Sequence, residues 1–320
     1  MAPEVKFAVM AACIYLPLGL GHASRTFGLL DADVSKRLSR FAVVVFESSV
    51  VLMGTWSLSL ESPARVLLVP VLGAVVSLGL LGVGFLASSL FHQEPIRRGA
   101  FLLCALMSNI GMSLGGFLCY LLFGMPGQSL SVVYTTHFMP VALLIGLMIA
   151  THYGHGGRAS VRSTLASMAR NPLVVAPTVA LVVGLGLNVA GVGTPAWVSP
   201  MNGVAVYLVV SLHAYSIGLT LRVQRIGRYW REVSAIAAIK FVVGPLLGAA
   251  AVFVFGQWGA FDGLLWRVVV VEGAMPVAIF ATIVSNVFDL DRDLANSAWL
   301  LTTLACVVVV PVLTLVTGAS

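Results

Sequence analysis

The chain has 320 residues, of which 59% are hydrophobic and only 9% charged, against roughly a quarter charged in ordinary soluble domains. That balance excludes a large soluble core and leaves no polar stretch long enough to form a separate soluble domain. The net charge of +6 would suggest a nucleic-acid partner in a soluble protein. Here the basic residues sit in short loops between apolar spans, so membrane topology accounts for them and nucleic acid is excluded.

About 20 consecutive apolar residues cross a bilayer, and the chain holds ten such segments: 5–24, 38–60, 64–91, 98–123, 129–152, 172–192, 200–221, 232–256, 264–289 and 294–317. Phe7 to Leu20 followed by Gly21-His22-Ala23 has the outline of a signal peptide, but Pro17 within the run and a weakly basic start favour a retained first helix. Cys13, Cys104, Cys119 and Cys306 lie in apolar segments without CxxC spacing and read as free thiols used in packing.

An outside N-terminus puts Arg25, Lys36, Arg37, Arg40, Arg97, Arg98, Arg158, Arg162, Arg170, Arg222, Arg225, Arg228, Arg231 and Arg292 in cytoplasmic loops. Only Lys6, Arg65 and Arg267 then remain on the other side, so both termini are expected to face away from the cytoplasm. The chain divides into a first five-helix unit, 1–153, a cytoplasmic linker, 154–171, and a second unit, 172–320. With an odd number of spans in each, the second unit enters the membrane inverted, the arithmetic of an inverted-repeat transporter. In the linker, Val161, Leu165 and Met168 fall at helical spacing opposite Arg158 and Arg162, as an amphipathic surface helix or a charged tether would have them.

The ninth span, Leu265 to Leu290, carries Glu272, Gly273 and Pro276 near its middle, a poor composition for an unbroken helix in hydrocarbon. At an offset of about 166 residues the fourth span holds SNIGMSLGG, Ser108 to Gly116, another polar, glycine-rich interruption. Paired interruptions in corresponding spans point to a transporter binding site. Broken helices expose unpaired backbone groups, and their positive N-terminal ends suit an anion. Asn109, beside a glycine at such a break, can touch a solute or cap a helix end.

A charge at mid-membrane costs several kcal/mol and marks function by default; the chain offers Glu47, Lys240 and Glu272. Glu272 and Glu47 are candidates for a coupling proton or sodium ion. Lys240 would neutralise carbonyl ends or pair with Glu272. At the same offset Glu47 faces His213; His213 and His137 read as hydrogen-bonding residues between helices. No GxGxxG or P-loop, HExxH, GxSxG or hydrolytic triad is present, and no enzyme activity or resident cofactor is expected. FDLDRDL, Phe288 to Leu294, lacks the glycine and final glutamate of a calcium loop and reads as a turn starting the last helix.

Three stretches are similar to a known family: SNIGMSLGGFLCYLLFG (Ser108 to Gly124), ARNPLVVAPTVALVVGLGLNVAGVGTPAWV (Ala169 to Val198) continuing to HAYSIGLTL (His213 to Leu221), and EGAMPVAIFATIVSNVFDLDRDLANSAWLLTTLACVVVVP (Glu272 to Pro311). Together they resemble the auxin efflux carrier family, which includes plant PIN-like carriers and bacterial malonate-type permeases. The resemblance implies an all-α integral membrane fold of ten helices in two inverted five-helix repeats, with broken helices 4 and 9 crossing at mid-membrane. Sodium/proton antiporters and bile-acid symporters have similar folds. It implies alternating-access transport of a small organic anion, malonate-like or auxin-like, with Ser108, Asn109, Gly111, Ala274, Met275, Pro276 and Val277 at the crossing. Where the second span of the family often carries Pro, this chain has FESSVV around Glu47. The alternatives are a sodium- or proton-coupled symporter or antiporter and a membrane ligand sensor that moves nothing. The expected partners are the anion and the lipid bilayer, with a homodimer as a possible assembly, and the expected location is a bacterial inner membrane.

Overall fold

The computed structural model describes residues 3–30, 32–58, 63–91, 94–111, 113–154, 166, 169–220 and 228–318. Among these the protein is all-helical, with one isolated two-residue bridge and no strand. In chain order the helices are α1 (Pro3–Thr26), α2 (Ala32–Phe41), α3 (Ser48–Trp56), α4 (Pro63–Ser89), α5 (Pro95–Leu106), α6 (Leu114–Thr135), α7 (Leu144–Tyr153), α8 (Pro172–Val189), α9 (Val198–Thr220), α10 (Trp230–Ala238), α11 (Gly244–Val254), α12 (Leu264–Gly273), α13 (Ile279–Val287) and α14 (Arg292–Thr317). Seven stretches among the described residues are long and apolar enough to cross a membrane: Arg37–Trp56, Val66–Ser89, Leu114–Tyr153, Pro172–Val189, Val198–Leu219, Trp230–Val254 and Arg292–Thr317. The linker residues Arg158, Val161, Arg162, Leu165 and Met168, with His92 and His155, lie outside the described residues.

The joins between these helices explain how a polar site is placed inside an apolar chain. Wider π turns at Ala42–Glu47, Phe138–Leu143 and Ile239–Val243 connect α2 to α3, precede α7, and connect α10 to α11. Such turns rotate the following side chains and recur at functional sites; Glu47 ends the first and Lys240 lies in the third. Helix α6 bends sharply at Gly124, whose φ of 70° and ψ of −161° no helix accommodates, and Pro126 follows. Residues 114–123 and 125–135 therefore run in different directions. The second span starts at Ala32, earlier than the apolar run suggests, because its basic first turns stay helical ahead of the apolar segment.

Packing divides the helices into two groups. One holds α1, α2, α3, α8 and α9; the other assembles α4 to α7 with α10 to α14. In the first, α1 and α9 approach so closely that a Cβ at Gly21 would fall 2.2 Å from the Tyr215 carbonyl oxygen, which is close small-residue packing between apolar helices. In the second, Gly99 to Leu106 of α5 and Val268 to Gly273 of α12 are wholly buried. These short helices sit where other helices shield them from lipid, while Leu67, Leu86, Val254 and Leu315 present apolar surface outward. Apolar exterior around a partly polar interior is the arrangement a bilayer requires.

Candidate functional site

The site begins where α5 and α12 stop. After Leu106 the backbone turns extended at Met107, with φ −89° and ψ 117°, and passes Gly111 at φ 61°. Helix α12 ends at Gly273, and Pro276 cannot donate to a helical ladder. The two breaks lie antiparallel against each other. The Asn109 N–H donates to the Pro276 carbonyl at 2.8 Å and the Ala278 N–H to the Met107 carbonyl at 3.0 Å, which sets Ser108 opposite Val277. Each break thus satisfies backbone groups of the other, groups that cost several kcal/mol if left unmet in hydrocarbon.

The two buried charges divide the helix ends of the first break between them. Lys240, with none of its surface exposed, donates its ammonium to the Ala105 carbonyl at 2.6 Å and to Ser108 Oγ at 2.8 Å. Ala105 is in the last turn of α5, so the cation lies on that helix's negative carbonyl end. Glu272, 1% exposed, accepts from the Gly111 N–H at 3.0 Å, from the Cys119 thiol at 3.6 Å and from the Ser131 hydroxyl. Its carboxylate therefore sits on the positive amide end leading into α6. Of the two roles open to Lys240, the structure assigns it to the carbonyl end. The close fit requires Gly115, where a Cβ would lie 2.4 Å from Glu272 Oε2.

Asn109 stands at the part-exposed edge of the crossing, its side-chain oxygen accepting from the Ser113 hydroxyl and its carbonyl from the Gly115 N–H at 3.1 Å. Ala274, Met275 and Val277 are wholly buried, and the Val277 N–H donates to Thr302 Oγ1 of α14 at 3.1 Å. Helix α13, which opens after this break, has Ala278 at its N-cap, no side-chain cap and no acidic residue in its first turn.

Two candidates lie apart from this cluster. Glu47 and His213 face each other at 3.7 Å in the first helix group, and His213 Nε2 has no hydrogen-bond partner. His137 takes an interhelical role, its ring meeting Ser77 Oγ at 2.9 Å and the Tyr134 carbonyl at 2.6 Å. The FDLDRDL stretch is a helix start, as expected, with Asp291 accepting from the Leu294 N–H at 3.0 Å. It does more than turn the chain, since Asp291 also takes Arg97 at 3.3 Å and the Tyr229 hydroxyl at 3.1 Å, tying α5, α10 and α14 at one end.

Ser131, Thr135 and Thr302 are not singled out by the sequence, and Cys119, a free buried thiol as expected, also meets Glu272. One signal was available: Gln128, Ser131 and Thr135 repeat at i, i+3 and i+7 in an apolar run, a polar stripe on one helix face. Gln128 at its start is wholly buried and bonded to the wholly buried Asn202 of α9.

Two antiparallel helix breaks with a buried cation and a buried carboxylate, inside an apolar helical bundle, define a membrane transport protein. Residues 8–314 match the family model described as membrane transport protein. The chain belongs to that family, the auxin efflux carrier family of the sequence resemblance. It is similar to an uncharacterized transporter of Methanothermobacter thermautotrophicus, 24% identical over 303 residues that cover 91% of this chain and 92% of the relative. An uncharacterized transporter of Methanocaldococcus jannaschii is likewise 24% identical over 301 residues, with 91% and 92% covered.

Proposed function

We propose that the protein is a secondary transporter that moves a small carboxylate, malonate-like or auxin-like, across a cytoplasmic membrane by alternating access. The observation that carries this reading is the pairing of the two breaks, Met107 to Ser113 with Ala274 to Ala278, around buried Lys240 and Glu272. Lys240 and Glu272 each compensate one end of the first break, so the substrate carboxylate is held elsewhere. The uncapped amide end of α13 stays free to hold the substrate carboxylate, with Asn109 beside it as a hydrogen-bonding group.

In this reading the chain has ten spans in two inverted repeats, 1–153 and 172–320. The short helices α5 and α12 recur at an offset of about 166 residues, as do α4 and the pair α10 with α11. Both termini lie outside the cytoplasm, following the basic loops. The group of α1, α2, α3, α8 and α9 rocks against the group that carries the crossing, exposing the site to one side and then the other.

The test is uptake of labelled mono- and dicarboxylates into proteoliposomes. Saturable flux or exchange of a carboxylate, absent from protein-free vesicles, is expected. Binding without flux would turn the reading to a ligand sensor, and neither binding nor flux for any carboxylate would refute it.

A further inference from the structure

The carboxylate of Glu272 does more in this geometry than cap a helix. Besides the Gly111 N–H it accepts from the Cys119 thiol and the Ser131 hydroxyl, and further oxygens lie next to Ser131. Ser131 Oγ is shared between Glu272 Oε1 and the Gly111 carbonyl, the latter at 3.4 Å, a length at which the carbonyl gains little. One turn further along the same helix, the Thr135 hydroxyl gives its proton to the Ser131 carbonyl at 3.0 Å, leaving its lone pairs unused. That hydroxyl presses on the break, since a Cβ at Gly111 would fall 1.4 Å from Thr135 Oγ1. The left-handed turn at Gly111, φ 61°, brings this unwound segment against both hydroxyls.

We propose that Glu272 Oε1, Ser131 Oγ, Thr135 Oγ1 and the Gly111 carbonyl oxygen bind one sodium ion, which is the coupling ion of the transporter. The chemistry of the donor set selects the ligand. All four are hard oxygens, which suit s-block cations and not soft transition metals. A single carboxylate balances one positive charge; Lys240, the other buried charge, is committed to Ala105 and Ser108. Unwound backbone carbonyls at broken helices are where coupling ions are held. Thr135, Asn109 and Ser113 are part-exposed while Ser131 and Glu272 are buried, so the ion enters past Thr135 and Asn109. An ion in this place locks residues 125–135, the first break and α12 together, and so preorganises the neighbouring substrate end.

This inference rests on the transporter reading only for the word coupling; the site can be tested without transport. Purified protein is titrated with sodium chloride at constant ionic strength against choline and potassium, following thermal unfolding. The expected result is a saturable rise of several degrees in Tm specific to sodium. Ser131→Ala and Thr135→Val each weaken the half-saturating concentration by at least tenfold, and Glu272→Gln abolishes the response. If Glu272→Gln does not fold, the Thr135→Val variant, which keeps the side-chain shape, decides the matter. A sodium response no larger than that of choline or potassium overturns the site, as does an undiminished response in Thr135→Val and Ser131→Ala. A shift that follows pH and ignores sodium overturns it in favour of a proton. Carboxylate flux in sodium-free proteoliposomes would remove the coupling role and leave the anion carrier standing; sodium binding without flux would do the reverse.

Discussion

The two helix breaks meet as partners but are built differently. The first, Met107 to Ser113, carries polar side chains and has a full charge at each end: Lys240 on the carbonyls of α5 and Glu272 on the amides before α6. The second, Ala274 to Ala278, is lined by apolar side chains, and its one side-chain hydrogen bond among the described residues is from the Val277 N–H to Thr302. Helix dipoles of similar size therefore end in one compensated and one uncompensated crossing. The difference teaches where an anion can go. Glu272 already occupies the positive end of the first break, whereas α13, which follows the second, has neither a side-chain cap nor an acidic residue in its first turn.

Breaking the compensation should have the largest effect. Lys240→Met removes the donor to Ala105 and Ser108 in a site without solvent, with an expected cost of about 2–3 kcal/mol. Thermal unfolding of the detergent-solubilised variant should show a clear drop in Tm, and carboxylate uptake should be lost. Gly115→Ala comes next. Its methyl group pushes the Glu272 carboxylate off the amide end, costing about 1–3 kcal/mol and lowering the maximal uptake rate.

Asn109→Ala should leave Tm close to wild type while raising the KM for the transported carboxylate about tenfold, the worth of one hydrogen bond of about 1.4 kcal/mol. An unchanged KM would remove Asn109 from the substrate site. Thr302→Val is the smallest change. It strips the second break of its side-chain acceptor at a cost of about 1 kcal/mol, visible as a small drop in Tm with uptake nearly intact. A larger loss than that of Lys240→Met would reverse the asymmetry between the breaks.

Much of this was readable from the sequence because breaks and charges are rare in apolar spans. Glu272-Gly273 with Pro276, and Ser108-Asn109 with Gly111, stand out against their surroundings, and Lys240 has no innocuous place in hydrocarbon. What the sequence does not carry is the exchange of partners: the acid of the second break serves the first. Offset matching aligns equivalent positions and says nothing of which helix end a side chain reaches. Ser131, Thr135 and Thr302 were obscured for another reason. Hydroxyls in membrane helices commonly bond back to the carbonyl four residues earlier, and Thr135 and Thr302 do so too, so their second role appears only when another segment comes to lie against them. Glu47 shows the converse: as conspicuous in sequence as Glu272, it meets His213 away from the crossing.

The most direct test of the asymmetry is a structure determined with a transported carboxylate bound. The expected result is a carboxylate within hydrogen-bond distance of the backbone N–H groups of Ile279 or Phe280, with Asn109 alongside and Glu272 still on the Gly111 amide. A carboxylate seated on the Gly111 amide with Glu272 displaced, or held wholly outside the two breaks, would contradict the account.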